Sequence, residues 1–125
     1  MRGVIYPELS FEIIGCAFEV FNNLGPNHRE HYYQKALAKE FVLRKIDFIE
    51  QYKIDLLYKK DKIGRSYFDF YVDNKIVVEL KAGNSFQKAN FSQILDYLKS
   101  SNTKLGIIIL FSQSGVKFRR ILNQF

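Results

Sequence analysis

The stretch Leu105 to Phe111 restricts what this chain can fold into more than any other segment, because none of its side chains is polar. A strand with one face in water alternates between apolar and polar residues, whereas a continuous apolar run is typical of a strand covered on both faces. The run is also far shorter than the ~20 residues that a membrane-spanning helix needs. It therefore predicts an interior strand of a sheet that is flanked by helices.

Three helices are predicted where apolar residues recur at helical spacing. The first covers Glu8 to Leu24 and is stopped by Gly25-Pro26. The second follows at once, because Asn27 is a good N-cap residue, and it continues to about Arg44. The third begins after Gly83 and stops at a polar stretch, Ser100 to Lys104.

Three further strands are predicted from aliphatic and aromatic runs at 46–58, 67–72 and 76–81. The polar turn Lys59 to Lys62 ends the first of them, and Asp73-Asn74-Lys75 joins the other two in a tight hairpin. After the apolar run, we expect only a short basic tail. The order α-α-β-β-β-α-β, with one strand reached by a helical crossover, predicts an α/β fold with a mixed sheet flanked by helices.

Length and composition exclude several classes of protein. The 125 residues contain no repeat, low-complexity tract or Pro/Gly-rich linker, so we expect residues 1–125 to form one domain. Cys16 is the sole cysteine, which excludes a disulfide scaffold and predicts a buried thiol in a reducing compartment. Without a membrane span or a signal-peptide pattern, a cytoplasmic protein is expected. The net charge of +6 is compatible with a polyanionic partner but does not identify one.

The predicted hairpin contains the residues that point to chemistry. Because side chains alternate across a strand, one face is predicted to be apolar: Phe68, Phe70, Val72, Ile76, Val78 and Leu80. The opposite face is predicted to consist of the remaining side chains: Tyr67, Asp69, Tyr71, Val77, Glu79 and Lys81. If the loop has three residues, Asp69 lies directly across from Glu79, about 5 Å away. A two-residue loop would remove this alignment.

Two opposed carboxylates destabilise a sheet unless something compensates for their charge. A divalent cation between hard oxygen ligands is the usual compensation. Bound Mg²⁺ would stabilise charge on a phosphate oxygen and acidify a coordinated water, while Lys81 could orient that water or assist its deprotonation. The alternative is a solvated hairpin face on which Lys81 simply pairs with Glu79.

At these residues the sequence resembles the PD-(D/E)XK nuclease superfamily, in which an acidic residue on one strand is followed by Glu/Asp-X-Lys on the next. Here these are Asp69 and then Glu79-Leu80-Lys81. Within that superfamily the chain is similar to the bacterial GxxExxY family, on the stretches 13–20, 24–33 and 77–82. One difference is that the first glycine of the motif is Asn27 here. Asparagine tolerates positive φ and can cap a helix, so we expect the local backbone to be the same.

The resemblance implies a restriction-endonuclease-like fold and a nuclease that uses Mg²⁺ or Mn²⁺. It makes Asp69, Glu79 and Glu30 metal ligands, and Lys81 the lysine of the motif. Taken by position alone, Glu30 is better explained by helix capping and the helix dipole, because it falls in the first turn of the second helix. Tyr33, one turn later, is expected to pack its ring in the core.

Gln93 and Tyr97 are four residues apart on the third helix, so their side chains are expected to meet on one face. They are predicted to lie beside the apolar stripe of that helix: Phe91, Ile94, Leu95 and Leu98. The spacing resembles the Gln-X-X-X-Tyr motif of nucleases similar to the RecB group, where these residues shape the active site and contact nucleic acid. The alternative is that both residues mark only a half-buried helix boundary.

Two basic clusters are candidates for phosphate contacts or, alternatively, for a solubilising surface. The first cluster is Lys59, Lys60, Lys62 and Arg65, and the second is Lys117, Arg119 and Arg120. His28 and His31 flank Glu30, but two histidines and one cysteine provide no zinc-like ligand set.

The leading hypothesis is a metal-dependent nuclease that hydrolyses phosphodiester bonds in nucleic acid, with DNA favoured. One alternative is a structure-selective nuclease similar to the small Holliday-junction resolvases, which act as homodimers. The other is a noncatalytic module with the same fold that binds nucleic acid or another protein. The opposed acidic residues argue against the noncatalytic module, because such a fold has no evident need for them.

Overall fold

The computed structural model describes residues 5–124. Three helices are present in this range: α1 (Pro7–Leu24), α2 (Glu30–Leu43) and α3 (Lys88–Ser101). The strands are β1 (Phe48–Tyr58), β2 (Asp61–Val72), β3 (Ile76–Ala82), β4 (Leu105–Ser112) and β5 (Gly115–Leu122). None of the helices in the described range is long and apolar enough to cross a membrane.

The strands form one mixed sheet in the order β1-β2-β3-β4-β5. All neighbours are antiparallel except β3 and β4, which are parallel and are connected through α3. The expected α/β architecture is therefore confirmed. The basic tail predicted after β4 is instead a fifth strand, which pairs along β4 from Ser112↔Gly115 to Leu105↔Leu122. Val116 and Phe118 alternate with Lys117 and Arg119, and this pattern suits an edge strand whose polar side chains reach water.

The apolar run behaves as predicted, since every residue of β4 is buried. Ile107 and Ile109 face a core formed with α1 and α2, whereas Ile108 faces a second cluster formed with α3. Helices thus cover both faces of the sheet. Cys16 is fully buried in the first core, and this burial raises the pKa of its thiol to about 11.

The connection between α1 and α2 differs from the prediction. Asn27 adopts positive φ (71°), as expected, but it does not cap α2, which begins only at Glu30 after Arg29. The Asn27 side chain instead accepts a hydrogen bond from Nε2 of Gln113, 3.0 Å away, in the β4–β5 turn. A left-handed residue two positions before the N-cap directs the chain away from the helix, so its side chain cannot reach the first turn.

The β1–β2 hairpin is longer than predicted. Tyr58 pairs with Asp61, and Lys59 and Lys60 form a two-residue turn in which both have positive φ (48° and 76°). The prediction of a loop at 59–62, with the next strand beginning only at Tyr67, is therefore wrong. Residues 61–66 lack a clear apolar alternation, and their strand conformation depends on pairing with β1.

Candidate active site

The β2–β3 hairpin aligns Asp69 with Glu79. Three antiparallel pairs join the two strands: Val72 with Ile76, Tyr71 with Val77, and Phe70 with Val78. The loop 73–75 therefore has three residues, as expected. Asp69 and Glu79 hold the next position in this register, immediately beyond the last pair.

At this position, hydrogen bonds from the backbone to the two acidic side chains take the place of backbone-to-backbone ladder bonds. The backbone N–H of Asp69 donates a hydrogen bond to Oε1 of Glu79, 3.0 Å away. The backbone N–H of Leu80 donates to Oδ2 of Asp69, 2.7 Å away. Each acidic side chain thus satisfies a backbone donor of the opposite strand. The two carboxylates are drawn into the space between the strands and do not point straight away from the sheet.

Strand β2 also rotates at Asp69. Phe70 packs in the core with α1 and α2, but Phe68 packs against α3, so the prediction that these two residues share one face is wrong. The β1 ladder pairs Glu50 with Phe70 and Tyr52 with Phe68 but passes over the intervening residues, and Gln51 has positive φ (52°). This irregularity re-aims the Asp69 side chain towards β3, a use typical of strand distortions beside functional sites.

The environment of Glu79 favours its protonated form. Burial raises the pKa of the Glu79 carboxyl to about 8, and the negative charge of Asp69 and a hydrogen bond with its carboxyl act in the same direction. The backbone N–H of Asp69 and the Lys81 ammonium partly oppose the increase. The Lys81 Nζ atom lies 3.8 Å from Oε2 of Glu79. The Glu79 carboxyl and the Lys81 ammonium are both half-buried and are close enough to contact the same bound molecule.

Glu30 approaches the same end of β3 from α2. It is the first residue of that helix, and its Oε2 atom accepts a hydrogen bond of 3.3 Å from the backbone N–H of Ala82. The residue is exposed, in accordance with a first-turn position whose charge the helix dipole favours. Glu30 thus links α2 to the strand residue that follows Lys81.

An open cleft of about 300 Å³ lies beside this end of β3. It is bordered by three segments: Asn27–Arg29, Ala82–Asn84 and Phe111–Gln113. Neither Asp69 nor Glu79 lines it, so the cleft adjoins the carboxylate pair and does not contain it. Ala82, which lines the cleft, is the residue whose backbone N–H donates to Glu30.

The carboxylate pair suits a divalent cation, although no complete ligand set is assembled. Within residues 5–124, no group of three or more His, Cys, Asp or Glu side chains is close enough to hold a metal ion. Mg²⁺ at phosphoryl-transfer sites needs only one or two carboxylates, because waters and substrate phosphates complete its coordination. A cation at Asp69 and Glu79 would relieve the repulsion that contributes to the raised pKa of Glu79.

Comparison with known proteins shows the family to which this chain belongs. The model of the PD-(D/E)XK nuclease superfamily matches residues 7–121. The chain belongs to the PD-(D/E)XK nuclease superfamily. Seven solved chains are also similar; one, the crystal structure of SSO0001, has a TM-score of 0.52 and 12% identity over 94% of this chain and 79% of its own. At that identity the similarity shows the fold alone, and it supports the expected restriction-endonuclease-like architecture. No curated protein matches.

In this PD-(D/E)XK superfamily member, Gln93 and Tyr97 of α3 were expected to meet on one helix face. The structure separates the two side chains by environment, since Gln93 is exposed and Tyr97 is buried. Tyr97 belongs to the apolar stripe of α3, and its ring meets Phe68 edge to face with a centroid distance of 5.5 Å. The expectation that Tyr97 lies beside the stripe is therefore wrong. The rotation of β2 brings Phe68 to this side, where the two rings pack together.

The basic residues of this superfamily member are distributed over several surfaces. Lys59 and Lys60 form the β1–β2 turn, and the Nζ atom of Lys62 lies 3.3 Å from Oδ1 of Asp55. On β5 the side chains alternate, so Lys117 and Arg119 face the α3 side, where Arg119 lies over the Phe86 ring at 4.9 Å. Arg120 faces the α1 side and donates to the Ile5 carbonyl. The C-terminal basic residues do not form one patch.

The other residues near the motif have structural contacts. Tyr33 is buried, stacks on Phe111 with centroids 4.1 Å apart, and donates from its hydroxyl to the Gly25 carbonyl at 2.7 Å, so core packing of its ring is confirmed. Nε2 of His28 lies 2.8 Å from the Leu24 carbonyl oxygen. The contribution of Gln51 was missed, because glutamine has no sequence signal for positive φ.

Proposed function

We propose that this protein is a metal-dependent nuclease that hydrolyses phosphodiester bonds, with DNA as its substrate, and that it belongs to the GxxExxY group of its superfamily. The observation that carries the proposal is the Asp69–Glu79 pair, whose carboxylates are fastened to the backbone of the opposite strand beside Lys81. A purely structural hairpin would place an ordinary ladder pair at this position. Membership in the superfamily supports the choice of nuclease chemistry.

Asp69 and Glu79 would hold the cation, Mg²⁺ or Mn²⁺, which superfamily members generally use. When bound, such an ion stabilises negative charge on a phosphate oxygen and acidifies water. Both side chains offer hard oxygen donors, and the carboxyl of Glu79 is costly to ionise without a cation. These two properties support the assignment. Glu30 would join the ligand set through a bridging water or after a small movement of its exposed side chain.

Lys81 would act on the attacking water. Its Nζ atom, 3.8 Å from the Glu79 carboxylate, can hold a water by a charge-assisted hydrogen bond and orient the water's lone pair towards phosphorus. The water oxygen then forms a bond to phosphorus as the bond to the leaving sugar oxygen breaks; the attacking water loses a proton to solvent, and the leaving oxygen takes one from solvent. Gln93, which is exposed on α3, would contact the nucleic acid near this point, and Tyr97 would support α3 from within the core.

The basic residues of the two clusters would supply phosphate contacts that do not depend on sequence. Lys59, Lys60, Lys62 and Arg65 lie on the β1–β2 hairpin that leads to Asp69, and Lys117, Arg119 and Arg120 lie on edge strand β5. Binding through these residues is expected to weaken steeply with salt.

A cleavage assay tests the proposal. Purified protein is incubated with labelled single-stranded, duplex and branched DNA and with RNA, in Mg²⁺, in Mn²⁺ and in EDTA. We expect metal-dependent cleavage of DNA that falls at least about 100-fold in Glu79→Gln. Asp73→Asn is the matched control, because Asp73 is a hairpin carboxylate that pairs only with Lys75 among the described residues. Cleavage that persists in Glu79→Gln, or no cleavage of any substrate, would contradict the proposal.

The same assay separates the two alternatives. Paired, symmetric cuts across a branched substrate, together with a dimer in solution, would indicate a resolvase-like enzyme. Salt-sensitive binding of nucleic acid with no cleavage in either metal would indicate a noncatalytic binding module. That module has one observation in its favour, since no three-residue ligand set is preassembled within residues 5–124.

A further inference from the structure

The β1–β2 hairpin presents an exposed aromatic ring next to the carboxylate pair. Tyr67 on β2 is 51% exposed, whereas the next residue, Phe68, is 2% exposed and packs against α3. Because neighbouring side chains on a strand point to opposite faces, the Tyr67 ring lies on the side of the sheet that carries α1 and α2. This is also the side from which Glu30 approaches β3.

Two cationic residues neighbour Tyr67 on the same face of the hairpin. Lys53 on β1 is the direct cross-strand partner of Tyr67, so their Cβ atoms lie about 5 Å apart. Arg65 is two residues before Tyr67 on the same strand face and is exposed. Asp55 is the partner of Arg65 in the ladder, and its Oδ1 atom lies 3.9 Å from Nζ of Lys53. The two cations thus outnumber the single carboxylate between them.

The distance from Tyr67 to the candidate active site matches about one nucleotide of a single nucleic-acid strand. Tyr67 precedes Asp69 by two residues, which corresponds to about 7 Å along β2. Glu79 shares its strand face with Val77 and lies on the α3 side, so the Tyr67 ring and this carboxylate are on opposite sides of the sheet. Because β2 has no β3 partner before Phe70 in the described range, a nucleotide whose base lay on the Tyr67 ring would have its phosphate reach the carboxylates past this unpaired edge. Lys53 and Arg65 would face the backbone on the far side of that nucleotide.

We propose that Tyr67, Lys53 and Arg65 form a binding site for an unpaired nucleotide, in which the base stacks on the tyrosine ring and the two cations contact phosphates. The site selects single-stranded or locally unpaired nucleic acid, because the faces of bases inside a duplex are covered by their neighbours. This inference rests on the proposed nuclease function and specifies its substrate class. Stacking on an aromatic side chain combined with a basic groove is a recurrent means of binding single strands.

Tyr58 provides a matched control on the same hairpin. It is 58% exposed, similar to Tyr67, and has a cationic neighbour, Lys59, whose Nζ lies 5.4 Å from its ring centroid. It pairs with Asp61, eight residues before Asp69, which places it about 26 Å from the carboxylate pair along β2. If any exposed tyrosine beside a lysine could bind bases, the two residues would behave alike.

The test measures equilibrium binding of a labelled oligothymidylate and of a labelled duplex by fluorescence anisotropy, in EDTA so that no cleavage occurs. We expect Tyr67→Ala to weaken single-strand binding by roughly tenfold or more, and Tyr67→Phe, which keeps the ring, to retain the wild-type affinity. Tyr58→Ala should bind as the wild type does. Lys53→Met and Arg65→Met should each reduce the salt dependence of binding.

Two results would overturn the inference: equal affinities of Tyr67→Ala and Tyr58→Ala for the single strand, or a Tyr67→Ala defect that is the same for single strand and duplex. Thermal melting of both variants shows whether the fold is intact, and rescue by Tyr67→Phe excludes a general loss of structure. Failure of the proposed function is a different outcome. It would appear as Tyr67-dependent binding of the single strand with no cleavage when Mg²⁺ or Mn²⁺ is added.

Discussion

Asp69 and Glu79 exchange hydrogen bonds with each other's strand: Glu79 accepts from the Asp69 backbone N–H, and Asp69 accepts from the N–H of Leu80, which follows Glu79. Two acidic side chains are thereby held together by backbone donors, and the repulsion between their ionised forms helps to keep Glu79 protonated. A bound divalent ion would relieve that repulsion and allow both carboxyls to ionise.

The stability of the metal-free protein is expected to fall as pH rises through the neutral range. The folded pKa of Glu79, about 8, lies above its ordinary value of 4.5, so the folded state binds a proton that the unfolded state has released. This contribution is fully present below the unfolded pKa and is lost as pH rises towards 8. The free energy of unfolding should decrease by up to about 1.4 kcal/mol per pH unit in this window.

Urea unfolding in EDTA at a series of pH values measures this effect. Glu79→Gln is the informative variant, because glutamine can still accept the bond from the Asp69 N–H but does not titrate. The difference between wild type and variant cancels the contribution of other groups. Parallel stability profiles for the two proteins would show that Glu79 does not titrate in this range.

Divalent metal is expected to reverse this loss of stability. Mg²⁺ or Mn²⁺ should raise the melting temperature of the wild type more at pH 8 than at pH 6, because protons compete with the cation for Glu79 at the lower pH. At a metal concentration about 100 times Kd, the gain is roughly 2.7 kcal/mol. Calorimetry of Asp69→Asn and Glu79→Gln should show no such gain. An unchanged gain in Asp69→Asn would place the metal elsewhere.

Lys81→Met is expected to lower the cleavage rate by about 100-fold or more, because a positioned group that acts on the water contributes on that scale. Metal-dependent stabilisation should remain, since the methionine removes no oxygen ligand. Lys75→Met is the matched control, as Lys75 pairs with Asp73 in the hairpin loop away from the site. Single-turnover kinetics separates this effect from binding, and equal rates for the two variants would remove Lys81 from the mechanism.

Glu30→Gln distinguishes a functional carboxylate from a helix-capping one. Glutamine can still accept the hydrogen bond from the Ala82 N–H, so the helix-to-strand link is retained. If Glu30 acts at the metal, the variant should cleave at least about tenfold more slowly with a melting temperature within a few degrees of the wild type. A variant that cleaves normally would leave Glu30 with only its first-turn role.

The sequence alone determined much of the architecture and left the hairpin register open between two loop lengths. A continuous apolar run can be buried on both faces only inside a layered sheet, and β4 is buried throughout. Asp73-Asn74-Lys75 predicts a tight hairpin, and the three-residue loop that the structure shows brings Asp69 into line with Glu79. Both inferences depend on local chemistry, namely hydrophobic period and turn preference, which a sequence expresses directly.

Tertiary structure decided where the side chains at the site point. The rotation of β2 between Phe68 and Phe70 depends on pairing with β1 at an unusual Gln51 backbone and on the space beneath α3 that Tyr97 and Phe68 fill. Strand alternation cannot predict a rotation that originates in a neighbouring strand and helix. For the same reason β5 was not predicted, because a basic segment becomes a strand only when β4 offers it an open edge.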